Sequence, residues 1–409
     1  MRRAMLTSAV VLASILPRAA AAQAGGSAPE VGFSSIPFQF FPPGARSLAM
    51  GATFVGIADD ATAAASNPAG LVILTRPEAS AHGRLTRFKP TTAGGYTQPS
   101  TTAVSPSYAS VVVPRKPFSV SAYYQQVSNI DLLRSFTGPV QFRGSAVTTP
   151  FTSTSRIDLL VADLGLSGAV KLGDHVSLGA TVARRKVRLT YLNENLITGD
   201  RPFRDHASAD ASDDAVVFNS GVLVNPNGRV SVGAVYKRGG GFHIPYVVDF
   251  EGSIPGPVSC PRPDVCTAGA IQIPDTWGLG AALRPSGQWL LASDVALVRY
   301  SQLSDTIFRA IPFDIYPIPP SNVLGPTSFD DIVQIHAGAE RIFIGRPTVG
   351  VRAGFYHRPN FNQGGSVDAG ATFVTAGVGL VFGDRGQLDL AGSLSKGVSE
   401  GLASLVVRF

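Results

Sequence analysis

From Pro77 to Phe409 the chain alternates short turns with long irregular links, and that parity constrains the fold more than any motif does. Short turns read at Pro114–Pro117, Gly173-Asp174, Asn225–Gly228, Pro285–Gly287, Ile344–Arg346 and Gly383–Gly386. Long links read at Lys89–Ser105, Asp131–Ser153, Asn193–Ala207, Glu251–Ala268, Ser304–Ser328 and Arg358–Ala369, and the two kinds alternate without exception. Between them hydropathy alternates with a period of two: Val333, Ile335, Ala337 and Ala339 oppose Gln334, His336, Gly338 and Glu340, and Val349, Val351, Ala353 and Phe355 oppose Gly350, Arg352, Gly354 and Tyr356. A soluble sandwich also has one apolar face per strand, so the period does not choose between lipid and core. Parity does choose, because bacterial outer-membrane barrels have short periplasmic turns and longer external loops. These twelve connections join thirteen segments, so about fourteen strands are expected, the nearby even count within the range of such barrels. The expected fold class is therefore all-β: a transmembrane antiparallel β-barrel of about fourteen strands.

Composition agrees. The chain is 44% apolar and only 15% charged, yet after the first residues it has no apolar run long enough for a helical span, which needs ~18 residues. Arg2 and Arg3, the apolar run Met5–Leu16 and the small residues Ala20-Ala21-Ala22 read as a signal peptide over 1–22, followed by an N-terminal extension and hatch over 23–76 and a barrel over 77–409. The formal charge of +6 includes Arg2, Arg3 and Arg18, and the remaining charges are spread thinly, which argues against a nucleic-acid partner. Val406 and Arg408 face away from Leu405, Val407 and Phe409, an ending that resembles the C-terminal recognition signal of outer-membrane barrels. The expected location is the outer membrane of a Gram-negative bacterium.

Phe33–Arg76 lacks the period of two and reads as two helical pieces, Ser47–Ala58 and Asp60–Ser66, with Ser47 and Asp59 as N-caps and Asn67-Pro68 as a stop. In His175–Leu192 the apolar phase switches from Val176, Leu178 and Val182 to Val187, Leu189 and Tyr191 across Arg184-Arg185-Lys186. Either a bulge or the exit of the strand from the membrane would do this, the latter placing basic side chains near lipopolysaccharide phosphates.

Gly44-Ala45-Arg46-Ser47-Leu48-Ala49-Met50-Gly51-Ala52, continuing through Ala58-Asp59-Asp60-Ala61-Thr62 to Asn67-Pro68-Ala69-Gly70-Leu71, resembles the N-terminal hatch signature of the FadL/TodX outer-membrane transport family. Ile273-Pro274-Asp275 with Trp277-Gly278-Leu279-Gly280, and His336-Ala337-Gly338-Ala339-Glu340 with Val351-Arg352-Ala353-Gly354-Phe355-Tyr356, resemble the later strands of that family. The resemblance implies a fourteen-stranded barrel, a small N-terminal helical hatch in its lumen, and passive uptake of hydrophobic small molecules such as long-chain fatty acids or aromatic hydrocarbons, sometimes released sideways into the membrane. The same signature occurs in PorV-type barrels associated with secretion, so that alternative stays open.

The candidate hatch or gating residues are Asp59, Asp60, Asn67, Pro68, Ala69 and Gly70, with the two aspartates able to pair with inward-facing arginines. Asp163, Asp294, His336, Glu340 and Arg352 are the polar lumen candidates; they form either an ion network or, at Arg352, a receptor for a ligand carboxylate. Cys260 and Cys266 fit a small disulfide loop in an exported chain. No G-x-S-x-G, H-E-x-x-H, Walker or Cys/His pattern is present, so neither an enzyme nor a metal or other cofactor is expected. The expected partners are a hydrophobic ligand and outer-membrane lipid with lipopolysaccharide, around a monomer.

Overall fold

The computed structural model describes residues 42–93, 96–141, 148–198, 203–225, 227–244, 247–252, 270–303, 330–359 and 370–409. The expected signal peptide, both cysteines and the Pro-rich stretch around Tyr316 lie outside the described residues. Fourteen strands form the wall: β1 (Glu78–Phe88), β2 (Thr101–Arg115), β3 (Phe118–Gln141), β4 (Thr148–Leu172), β5 (Val176–Ile197), β6 (Phe203–Val224), β7 (Val230–Lys237), β8 (Thr276–Ser286), β9 (Trp289–Val298), β10 (Ile332–Phe343), β11 (Thr348–Arg358), β12 (Ala371–Phe382), β13 (Gly386–Leu394) and β14 (Val398–Arg408). Each pairs antiparallel with the next, and β14 closes on β1 with Glu78 opposite Arg408 and Phe88 opposite Val398. Closure leaves no free edge, which is what lets strands cross a bilayer.

The short turns lie at one end, the periplasmic one, where five of the connections expected from sequence bracket β2–β3, β4–β5, β6–β7, β8–β9 and β10–β11, and a sixth joins β12 to β13. The external links depart from strict parity in one place, since only Ser395-Lys396-Gly397 separates β13 from β14. Three of the expected long links are largely strand, the first of them, Lys89–Ser105, through Thr91–Ala93, Tyr96–Gln98 and the start of β2. β3 and β4 run through Gln141 and from Thr148, and β5 and β6 run through Ile197 and from Phe203. Their Ser/Thr-rich sequence hid the alternation, because the inward Ser153 and Ser155 are buried yet polar while the outward residues of the same stretch meet water.

That exit explains the phase switch in β5. The strand pairs with β4 and β6 without any register shift, so there is no bulge at Arg184–Lys186. Odd-numbered residues face inward throughout: Thr181, Arg185, Val187 and Leu189 are buried, whereas Val182, Arg184, Lys186 and Arg188 are exposed. Within the bilayer the outer face must be apolar; above it the same face meets water and the apolar residues move inside. The upper lumen accordingly holds a buried cluster that includes Phe88, Ile130, Leu159, Val187, Phe242, Ile271, Val298 and Ile332. Around the outside, Leu164, Leu279, Val351, Val374 and Leu405 form part of the lipid-facing belt.

The hatch threads through the lower lumen. It consists of α1 (Ala45–Ala49) and two short 3-10 turns, Ala61–Ala64 and Pro68–Ile73, rather than two longer helices. Gly44, not Ser47, precedes the first turn, and Ser47 bonds back to the Gly44 carbonyl from inside it. Asp60, not Asp59, caps the second by accepting from the Thr62 amide, and this leaves Asp59 free to form ion pairs. Asn67-Pro68 starts the third turn instead of stopping the second, with Pro at the position where a missing amide does no harm.

Candidate functional site

The hatch is held on one side by a chain of charges. Arg46 on α1 pairs with Asp59 and reaches Glu340 of β10 at 2.9 Å, with Asp60 at 3.7 Å. Glu340 bonds Arg352 of β11 at 2.7 Å, and Arg352 bonds Asp389 of β13 at 2.6 Å. Gln387 donates to Asp389, Arg408 donates to Gln387 and to Glu78, and Glu78 accepts the Ala61 amide back on the hatch. Arg284 of β8 joins at Asp59 at 3.1 Å. The chain thus begins and ends on the plug, running along the periplasmic third of β8, β10, β11, β13, β14 and β1. Burial alone would depress the Arg46 guanidinium, but Asp59, Glu340 and Asp60 outweigh it and raise its pKa well above the ordinary value. Burial chiefly, and then the neighbouring Asp59 and Glu78 charges, push the Asp60 carboxyl up to about 6 against the pull of Arg46 and the Thr62 hydrogen bond.

Higher up the same side, backbone groups of the hatch meet polar side chains of the wall. Asp294 of β9 accepts the amides of Phe54 and Val55 at 2.6 and 2.8 Å. His336 of β10 donates to the Gly51 carbonyl, and Thr375 of β12 takes the Gly51 amide while donating to Ala49. Gly51 has φ of +69° and lies against the backbone of Ala337 and Phe355, so a side chain there would meet both strain and collision. Gly70 is pressed on the Ala58 carbonyl in the same way within the hatch.

The other side of the hatch is held without charge. Asn67, fully buried, donates from its amide to the carbonyls of Val55 and Val222 and accepts from Ala69. Ser167 and Thr181 donate to Ala64, Tyr108 donates to Ala61, and Ser231 donates to Gly56. Pro68 and Ala69 are buried against β5, where Gly179 leaves room for their backbone.

Above these contacts the wall itself divides. β2 and β3 pair only from Arg115 opposite Phe118 up to Tyr108 opposite Gln125. Beyond that, β2 continues on β1 and β3 continues on β4 with no described ladder between the two, until Tyr96 and Thr97, ahead of β2, pair with Phe136 and Ser135 of β3. Two register shifts flank the split, one leaving Ser107 as the extra residue on β2 and one leaving Val127 as the extra residue on β3. Pro106 sits at the point of separation and has no amide to donate. In place of a ladder, Ser105 donates to Gln126 at 2.5 Å and Thr101 to the Asp131 carbonyl at 3.2 Å. A crevice of about 20 Å³, room for a single water, lies inside, lined among others by Arg84, Phe88, Gln126 and Ile130. Phe88 and Ile130 also belong to the apolar cluster of the upper lumen, so the slot opens onto that cluster.

The remaining lumen candidate, Asp163, pairs with Arg185 at 2.7 Å on the opposite wall, apart from the chain around Glu340. Glu340 and Arg352 are brought together, and both edges of the Arg352 guanidinium are occupied by carboxylates. A second histidine, His82 on β1, is also buried, with Ser404 and the Pro43 carbonyl as neighbours. Sequence reasoning missed Arg46, Glu78, Arg284, Asp389 and Arg408, although each of the strand residues occupies the lumen-facing phase of its strand near a periplasmic turn. Among the described residues no group of His, Cys, Asp and Glu could hold a metal ion.

These features together define an outer-membrane barrel closed by an internal hatch, with an apolar upper lumen. The family profile of the outer membrane protein transport proteins (OMPP1/FadL/TodX) matches residues 44–399, and the chain belongs to that family of outer-membrane transporters of hydrophobic compounds. It is a multi-pass barrel of the Gram-negative outer membrane, from a family of transport channels and not enzymes. Among solved structures it is similar to the Ralstonia pickettii toluene transporter TbuX, at 15% identity over 91% of this chain and 100% of that one, with a TM-score of 0.63. It is also similar to the P. putida toluene transporter TodX, at 17% identity, 90% and 98% coverage and a TM-score of 0.62. A Pseudomonas aeruginosa FadL homologue gives 13% identity, 90% and 98% coverage and a TM-score of 0.62. No curated protein matches the chain in sequence.

Proposed function

We propose that this chain is a monomeric passive channel for hydrophobic small molecules, long-chain fatty acids or aromatic hydrocarbons. The solute enters the apolar upper lumen and leaves sideways through the slot between β2 and β3 into the bilayer. The observation that carries the reading is the unpaired stretch of β2 and β3 opening onto the apolar cluster, while the hatch fills the route straight down. A hydrophobic solute moving this way never crosses an aqueous periplasm, and among the described residues the slot is spanned by the Ser105–Gln126 and Thr101–Asp131 hydrogen bonds, with Thr97 on Ser135 closing its upper end. The exposed bases Lys186 and Arg188 above the belt suit lipopolysaccharide phosphates.

Cysteines at Ser105 and Gln126, in a background with Cys260 and Cys266 replaced by serine, test the exit. Oxidation to the disulfide should lower cellular uptake of a labelled fatty acid or monoaromatic by roughly tenfold, and reductant should restore it. Undiminished uptake with the slot locked would overturn the lateral route. The secretion-associated alternative predicts stable partner proteins in a pull-down together with normal uptake of every hydrophobic carbon source in a deletion strain.

A further inference from the structure

The charge chain holds the hatch to β8, β10, β11, β13, β14 and β1 only. On the opposite side its last residues, Val72 to Thr75, leave a space against the periplasmic turns of β2–β3, β4–β5 and β6–β7. That space is a cavity of about 570 Å³, within the range of small-molecule sites. Its inner wall is apolar: Val72 and Leu74 come from the hatch and Leu223 from the lumen face of β6, where Leu74 and Leu223 are buried. Its rim carries Lys116, Lys171 and His175 against Asp174, the single carboxylate among the lining residues. Among the described residues neither lysine has an ion-pair partner.

We propose that this cavity binds a single-chain amphipathic anion, a medium-chain carboxylate, from the periplasmic side. The apolar tail lies against Val72, Leu74 and Leu223, and the carboxylate meets the surplus positive charge of Lys116 and Lys171. A neutral hydrocarbon would make no use of the rim. Leu223 and Ser177 face the lumen, so a tail lying on them sits inside the ring of strands, whereas Phe118 on the rim shares the outward phase of Val120 and is where a bilayer lipid would compete. The site lies below the hatch and apart from the slot, so it stands or falls independently of the lateral route.

The test uses the full chain in phosphatidylcholine nanodiscs, with Trp277→Phe and Trp289→Phe removing the native indoles and Ile73→Trp placing one in the cavity wall. Bromine-tagged undecanoate should quench this reporter saturably. Lys116→Glu with Lys171→Glu should weaken that affinity by about fivefold or more, as loss of two exposed attractions allows, without changing heat-modifiable migration. The matching brominated undecanol should show no dependence on the charge reversal. Three results would overturn the proposal: carboxylate affinity indifferent to the reversal, unsaturable quenching equal to that of a lipid-facing Leu279→Trp reporter, or displacement of the probe by inorganic phosphate alone. Loss of quenching when phosphatidylglycerol is added to the disc would assign the site to bilayer lipid and overturn it equally.

Discussion

The wall treats the hatch differently on its two sides. From β10 to β14 every strand is held in unbroken register with its neighbours, and the plug is tied to this side through buried ion pairs; Glu340 and Arg352 are 3% and 4% exposed. From β1 to β4 the wall carries two bulges, parts between β2 and β3 above Tyr108, and is bridged there by neutral side-chain bonds. A buried charge network tolerates little displacement, because any group that loses its partner remains desolvated. Serine and glutamine at a water-accessible crevice can exchange one partner for another. The difference assigns fixity to one side and opening to the other.

The sharpest way to break this contrast is to remove a charge from the clamped side. Arg352→Met leaves Asp389 buried with Gln387 alone and should destabilise the barrel by about 3–5 kcal/mol, the range for breaking a buried pair. Gln126→Leu at the slot should change stability by less than about 1 kcal/mol, since its hydrogen bond is replaced by apolar contact with the upper lumen. Denaturant titration of vesicle-refolded protein, followed by tryptophan emission, reads both. Equal losses would mean that the two sides are not mechanically distinct.

Next in size is the pH dependence of the clamp. Asp60 has its folded pKa raised from 3.8 to about 6, so the folded state binds the extra proton between those values. Its contribution to stability is therefore full below pH 4 and disappears as pH rises through 6, a loss of at most about 2–3 kcal/mol. Paired carboxylates elsewhere would show the reverse trend. Hydrogen exchange of the Ala61–Ala64 amides should accelerate between pH 4.5 and 7.5 beyond its intrinsic dependence, and Asp60→Asn should flatten that excess. An unchanged profile in the variant would place the titration elsewhere.

How much of this was legible beforehand depends on what each residue was made to do. Parity and alternation brought the strand number to within one, because lipid outside and polar residues inside impose opposite chemistry on adjacent positions, as in Ile335 and His336; the short link Ser395–Gly397 that splits the last segment carried no turn signal of that kind. The length of β3 to β6 was not legible, since above the membrane Ser153, Thr154 and Ser155 look like a loop. Asp59 and Asp60 stood out as a pair, but which one capped a turn and which one formed ion pairs depended on Arg46, a helix residue with no period to betray it. Arg408 and Glu78 sit far apart in sequence and meet only because the barrel closes. Pro106 directly follows the expected link Lys89–Ser105, where a proline carries no special signal. Its meaning as the upper end of the β2–β3 ladder needed the bulges at Ser107 and Val127.

The smallest effect on stability is expected at that proline, and it bears most directly on opening. Pro106→Val restores an amide where the ladder ends and a side chain suited to strands, so stability should rise by no more than about 1 kcal/mol. Transport should move the other way. If the missing donor helps keep β2 off β3, restoring it favours extension of the ladder above Tyr108 and Gln125, and uptake of a hydrophobic probe should fall severalfold. Amide protection at Val104 to Ser107 should increase in parallel. Because the register is already shifted by Ser107, deleting that residue together with Pro106→Val should close the slot further than either change alone. Uptake that stays constant while protection increases would show that the ladder closes without blocking passage, and the solute would then have to leave elsewhere along the wall.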